Sequence, residues 1–416
     1  MDDSREAALA LDAADPLAGC RDLVTYADDV IYLDGNSLGR RPVSTPGALE
    51  DLVERQWARD LIRSWPAWLA DATATADLLG EAVLGVAPGQ VAISDSTTVN
   101  LYKLAVAAVR ARQGRSRVVI EADAFPTDLY VIDGVARDHG LEVTRVEADI
   151  DDGVRATDLA AVLDDDVALV CLSHVGYRSG ALLDMVELTH LAHDAGALVL
   201  WDLCHSAGSA PTPLAESGAD LAVGCTYKYL NAGPGAPAFL YVRADLQAEL
   251  RSPIQGWFGQ RDQFEMAPEY DPVPGIERFL AGTPNVPGIV AVREGVRTIA
   301  AAGLPALRDK GVALTSYLVD LADVWLQPLG FRLASPRDPA RRGSHVTLEH
   351  PQAWQACQAW IAAGVVPDFR TPDRLRIGPA PLTTSFEEVW IAMDRLRDIV
   401  ATGRHLEFPT ERARVT

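Results

Sequence analysis

Along the first two thirds of the chain, apolar residues fall into two patterns. Some form short, nearly unbroken runs: "VVIEAD" (118–123), "VALVCLSH" (167–174), "ALVLWDLCH" (197–205), "DLAVGC" (220–225) and "AFLYV" (238–242). Such runs predict strands covered on both faces, because a strand with one wet face alternates apolar and polar residues. Between them apolar residues recur every three or four positions, as in "DMVELTHLAHDAGA" (184–197), where Asp184 supplies a helix cap and Gly196 a stop. Strands alternating with helices predict an α/β fold built on a doubly wound, mostly parallel sheet. Ligands of such sheets bind at the carboxyl ends of the strands, so the residues just after each run are the ones to inspect.

Near residue 290 the pattern changes. A long alanine-rich helical stretch leads to "SHVTLEH" (344–350), a helix around 351–363, "RLRIGP" (374–379) and a closing helix. The expected organisation is an N-terminal arm over 1–45, a large ligand-binding domain over 46–290 and a smaller α+β domain over 291–416. The arm contains "YLDGNSLGRRP", a turn-rich segment expected to return to the small domain.

Composition narrows the function. The 416 residues suffice for a large core and a second domain. A net charge of −21 repels a phosphate backbone, so nucleic acid is not expected as a partner. The acidic start "MDDSREAALALDAADPLAGC" does not read as a leader, no window reads as a membrane span, and a cytoplasmic protein is expected. The cysteines (Cys20, Cys171, Cys204, Cys225, Cys357) number five and never fall in C-x-x-C spacing, which favours reduced thiols. His190 and His193 sit one helical turn apart without a carboxylate at matching spacing; they read as solvated helix residues, and no metal is expected.

Four strand ends carry complementary chemistry. Asp95, Ser96, Thr97 and Thr98 open a helix, which provides either plain capping or an anion site suited to phosphate. Phe125 and Asp128 lie on a loop that alone reads as a turn. Asp202 ends a buried strand, three residues before His205; a carboxylate there serves as a helix cap or meets a cation such as a protonated pyridine nitrogen. Lys228, between Tyr227 and Tyr229 in "GCTYKYLNAGPG", is either a snorkelling surface lysine or an amine withdrawn from water and suited to a Schiff base. Together these are the requirements of pyridoxal 5'-phosphate: a phosphate cradle, a ring-facing aromatic, an acidic partner for the ring nitrogen and a lysine.

With "YLDGNSLGRRP", "LIRSW" (61–65), "FPTDLY" (125–130), "WDLCHSAG" (201–208), "GCTYKYLNAGPG", "GWFG" (256–259), "RRGSHV" (341–346) and "RIGPAPL" (376–382) in this order, the chain resembles the kynureninases over nearly its whole length. The resemblance implies a fold-type I pyridoxal-phosphate enzyme, a homodimer, and hydrolytic cleavage of L-kynurenine to anthranilate and L-alanine. It implies that Lys228 bonds the cofactor and moves the α-proton, that Asp202 faces the pyridine nitrogen with His205 nearby, and that Phe125 covers the ring. Thr97, Thr98, Asp128, Ser173, Tyr227, Trp257 and Thr283 match positions that contact cofactor or phosphate, and Tyr227 is the candidate proton donor to the alanine fragment. Arg376 matches the residue that grips the substrate carboxylate, with Asn36, Ser37 and Trp65 also at substrate positions. Trp65 and Thr283 lie near the aryl ring in relatives that prefer kynurenine to its 3-hydroxy form, while Thr383 stands where relatives carry a tyrosine. The rival readings are another lyase or an aminotransferase of the same superfamily acting on a related aryl amino acid. A cysteine desulfurase needs a thiol where this chain has Val346.

Overall fold

In the computed structural model, which describes residues 2–26 and 29–412, the strands form three sheets. The arm carries β1 (Ile31–Tyr32). Strands β2 (Val91–Ile93), β3 (Arg117–Glu121), β4 (Glu142–Val146), β5 (Val167–Ser173), β6 (Leu198–Asp202), β7 (Leu221–Gly224) and β8 (Phe239–Val242) build a seven-stranded sheet in the order β2-β8-β7-β6-β5-β3-β4. From β4 across to β7 all neighbours are parallel, and β8 runs antiparallel to both β7 and β2. The expected mostly parallel sheet is therefore present, with its antiparallel pairings gathered at one edge.

The unbroken apolar runs have the predicted cause. Side chains alternate across a strand, and here both faces are covered. Val118 and Ile120 of β3 and Leu198 and Leu200 of β6 pack into one core layer, while Val119, Val199 and Trp201 pack into the other. The second layer is closed by the helix Val286–Ala302, whose Ile289, Val292, Val296 and Ile299 face it at helical spacing.

Beyond this sheet lie β9 (Arg332–Leu333), β10 (Val346–Glu349), β11 (Val365–Val366), β12 (Asp368–Arg370) and β13 (Arg374–Ile377). β12, β13, β10 and β9 form an antiparallel sheet in that order. Helices Leu304–Leu321, Ala353–Ala362 and Phe386–Ala401 pack around a separate core that includes Trp360, Leu375 and Met393.

The arm returns to this second core, as expected. β1 pairs parallel with β11, Gly35 N–H donates to the Gly378 carbonyl at 3.0 Å, and Gly378 N–H donates to Leu33 at 2.7 Å. It then crosses to the loop carrying Lys228, where Gly39 N–H donates to the Tyr227 carbonyl at 2.8 Å. A Cβ on Gly39 would stand 2.2 Å from the Lys228 carbonyl oxygen and 2.9 Å from Asn231 Cα, so only glycine allows this approach. We therefore expect Gly39→Ala to lose about 1–3 kcal/mol of stability through overpacking. Gly19→Ala, with nothing within 4 Å of the added carbon, is the control. Urea denaturation of both variants checks this, and equal midpoints would contradict it.

Candidate functional site

The parallel strands end together. Register pairs Ser173 of β5 with Asp202 of β6, and Asp202 with Val223 of β7, which lies five residues before Lys228. Above these ends opens a cavity of about 1100 Å³. Asp202, His205, Tyr227 and Lys228 line one part of it, Phe125 and Asp128 another, and Thr97, Thr98 and Thr283 a third. Lys228 Nζ stands 3.2 Å from His205 Nε2 and 6.0 Å from the Tyr227 ring centre.

Each part has a local cause. Ser96 caps the helix Thr97–Ala111, its hydroxyl accepting from Val99 N–H at 3.4 Å, so the first turn directs free N–H groups and the Thr97 and Thr98 hydroxyls into the cavity. Behind it the fully buried Lys103 donates to Asp95 at 2.8 Å and to the Phe279 carbonyl at 2.7 Å, tying the cradle to the segment before Thr283. Phe125 precedes the helix Pro126–His139, which starts on proline and carries Asp128 in its first turn.

The strand ends concentrate acid. Asp128, Asp202 and Glu121, the last residue of β3, are all buried. Burial, with Asp202 beside it, pushes the Asp128 carboxyl well above the usual carboxylate range. Burial likewise raises Glu121 to about 7, even though it accepts from Ser173 N–H at 2.7 Å. His205 moves the other way: burial and then the Lys228 charge hold it well below its usual range, so it is neutral and can accept from the lysine. Tyr227 is raised, chiefly by burial, and keeps its proton.

Other residues singled out in the sequence lie outside the cavity lining. Ser173 is buried beneath it and bonded to Glu121 through its backbone. Trp65 packs edge-on to Trp68 and near Phe258, which does line the cavity. Trp257 is 43 % exposed and donates its indole N–H to the Gln263 carbonyl at 3.0 Å. Arg376 and Asn36 are buried with the half-buried Ser37 beside them, near enough for the Arg376 charge to act on His205. Arg376 Nη1 donates to the Tyr177 carbonyl at 2.6 Å and Nη2 to Ser37 Oγ at 2.9 Å. With its amide oriented to satisfy both partners, Asn36 accepts from Arg376 Nε and Nη2 at 2.8 and 3.0 Å. Arg376 is also ion-paired to Asp368, as its neighbour Arg374 is to Glu349. His193 is not a freely solvated helix residue, since its Nε2 lies 2.9 Å from the buried Asp220 carboxylate.

Sequence reasoning passed over Glu121, Asp368, Asp34 and His345. Glu121 was legible: an acid at the end of an apolar run carries the signal that singled out Asp202. His345 is fully buried with its ring 5.7 Å from that of His205, a proximity between distant segments that no local pattern announces.

The donor chemistry fits pyridoxal phosphate. N–H and hydroxyl groups cluster at a helix start, an aromatic and a buried carboxylate follow, and a lysine stands beside a neutral histidine, all facing one cavity.

Comparison with known proteins agrees. Residues 307–396 match the family model described as "Kynureninase C-terminal domain". The chain is 40% identical over 406 residues to the Kynureninase of Pseudomonas fluorescens, covering 95% of each protein. It is 43% identical over 425 residues to that of Burkholderia pseudomallei (strain K96243), covering 99% of this chain and 100% of the relative. Among solved structures it resembles the apo cysteine desulfurase from Thermococcus onnurineus NA1, with a TM-score of 0.82 at 19% identity over 92% of this chain and 98% of the other. It also resembles the cystine C-S lyase C-DES, solved with cysteine persulfide, with a TM-score of 0.79 at 18% identity over 89% and 98%. These structural likenesses establish the fold, that of fold-type I pyridoxal-phosphate enzymes.

The raised Glu121 carboxyl sets a pH dependence. The folded chain binds its proton more tightly than the unfolded chain, so this contribution is complete below pH 4.5 and is lost as pH rises through about 7. In the cofactor-free protein, Glu121→Gln should gain up to roughly 3 kcal/mol over wild type between pH 5 and 8. Parallel denaturation curves at the two pH values check this, and a constant difference would refute it.

Proposed function

The chain belongs to the kynureninase family, and from that premise we propose a role for each residue at the strand ends. The protein is a pyridoxal-phosphate enzyme that cleaves the Cβ–Cγ bond of L-kynurenine with water, releasing anthranilate and L-alanine. Bound pyridoxal phosphate supplies an electron-withdrawing ring that takes up charge from bonds broken beside the substrate nitrogen.

Thr97, Thr98 and the helix start would hold the phosphate, with Thr283 in the same cavity lining. Phe125 would cover the ring and Asp202 would pair with its nitrogen, both from the cavity lining. Asp128, kept protonated by burial beside Asp202, adds a hydrogen bond without adding a second charge. Lys228 Nζ would hold the cofactor at rest and is the amine placed to take and return the substrate α-proton, with His205 Nε2, 3.2 Å away, able to accept a hydrogen bond from it. Tyr227 donates its hydroxyl proton to the alanine fragment after water has added to the γ-carbonyl and anthranilate has left; its raised range keeps that proton available. Arg376 holds the substrate α-carboxylate, positioned by Asn36 and Ser37. The observation that carries the reading is the meeting of Lys228, Asp202 and the Thr97–Ala111 helix start on one cavity.

Trp65 and Thr283 favour kynurenine over 3-hydroxykynurenine. Residues 1–45, 46–290 and 291–416 serve as arm, cofactor domain and small domain. A homodimer is supported by apolar side chains left in water near the site, among them Phe264 at 74 % exposure, which lines the cavity mouth. A cytoplasmic location is supported by five free cysteines. Persulfide chemistry is disfavoured: Val346 is fully buried on β10, and the Cys204 thiol, although it lines the cavity, is held far above its usual range by Cys225 and by burial.

Mixing the holoenzyme with L-kynurenine should release fluorescent anthranilate, and Lys228→Ala should release none. Anthranilate from the variant, or none from wild type, would defeat the assignment. The kcat/KM for 3-hydroxykynurenine should be several-fold lower. Arg376→Lys should raise KM by about 10–100-fold, the worth of one charged hydrogen-bond pair, with a smaller effect on kcat.

A further inference from the structure

Arg376 is surrounded by more acid than a substrate-binding arginine needs. Asp368, its cross-strand neighbour, is 1 % exposed, and its Oδ2 takes Arg376 Nη2, Arg370 Nη2 at 2.7 Å and Ser37 Oγ at 2.9 Å. Its Oδ1 is buried and has no hydrogen-bond partner. Asp34 reaches the same place from the arm, bridging to Gly378 two residues past Arg376, and its Oδ1 is also buried without a partner. Ser37 stands between the two acids, its hydroxyl donating to Asp368 and its N–H to the Asp34 carbonyl, each at 2.9 Å. Two buried carboxylate oxygens left without a donor beside it are costly, unless a proton satisfies them.

We infer that Asp34 and Asp368 share one proton when the substrate carboxylate is bound, and that this pair makes Asp34 a positioning residue for substrate recognition. The inference rests on the reading of Arg376 as the carboxylate's partner.

Charge decides the sign. With both acids ionised, Arg376 and Arg370 are already matched, and an incoming α-carboxylate adds an uncompensated anion. With one proton on the pair the pocket is left one cation in excess, which the substrate neutralises. Binding therefore takes up a proton wherever the pair is otherwise ionised. Burial, and then Asp368 itself, raise Asp34 to about 7, so the transition falls in the working range. The other groups facing the pair are Arg376 and Arg370 on the small sheet, Tyr32 on the arm with Arg40 5.3 Å from its ring, Tyr229 on the lysine loop and Cys357 on the helix Ala353–Ala362. Burial raises Tyr32, Tyr229 and Cys357, which stay neutral, and the arginines stay charged. That leaves the Asp34 carboxyl, raised by burial and by Asp368, as the group whose proton responds to the substrate.

The test uses the holoenzyme and the dissociation constant of L-alanine, read from the cofactor absorbance between pH 6 and 9. Wild-type affinity should weaken above pH 7, approaching tenfold per pH unit, and Asp34→Asn should flatten that dependence. The KM for L-kynurenine should follow the same two profiles while kcat does not. L-alaninamide, which lacks the carboxylate, provides a measurement on wild type alone, and its profile should lack the component seen with alanine. If alanine is preferred to alaninamide but Asp34→Asn keeps the wild-type slope, the shared proton is refuted and Arg376 keeps its role. If the two ligands bind with equal affinity and slope, the reading of Arg376 falls, and the pair with it.

Discussion

Parallel strands that start together also end together, and that alignment is the constraint on which this molecule turns. It brings Glu121, Ser173, Asp202 and the Tyr227–Lys228 loop to one rim of the seven-stranded sheet, although they span more than a hundred positions of chain. Covering both faces makes the strands apolar throughout, so polar chemistry is confined to the rim. The helix starts lie on the same side, which is why the cradle at Thr97 and Thr98 faces the lysine rather than the far end of the sheet.

Confinement at a dry rim explains the electrostatics. Water is scarce there, and the carboxyls of Asp128 and Glu121 respond by holding protons while His205 gives its proton up. The outcome is a site poor in net charge despite many ionisable groups. A charged cofactor entering it meets hydroxyls, N–H groups and a few committed ions rather than a field of competing acids. Around Arg376 the same physics operates with the signs reversed, where two guanidinium groups hold the buried Asp368 in a place it would not occupy alone.

Much of this was visible before any coordinates. The strand runs, the Asp184 cap, the capped start at Ser96 and the return of the arm are local patterns with local causes, and Asp202 and Lys228 stand out because each breaks an apolar run where a sheet binds ligands. What escaped notice depends on distance in sequence. Asp34 and Asp368 look like ordinary turn and strand acids until the arm lies against β13, and His345 reads as a strand residue until it meets His205. Trp257 shows the converse: its motif ties it to the cofactor, whereas within one protomer Trp257 itself is not part of the cavity lining and only its indole's acceptor, Gln263, is.

The contact of Gly39 with the Lys228 carbonyl has a consequence for biosynthesis. The arm is made well before its partners, since β1 pairs with β11, and Asp34 bridges to Gly378, more than three hundred residues further along. The lysine loop acquires its backing only when these two distant segments have been made and brought together, a closure over more than three hundred residues. A nascent chain can complete the central sheet and still lack a finished cofactor pocket. Without β11 and Gly378 the arm loses its partners, and the loop its backing, while the seven-stranded sheet keeps all its strands.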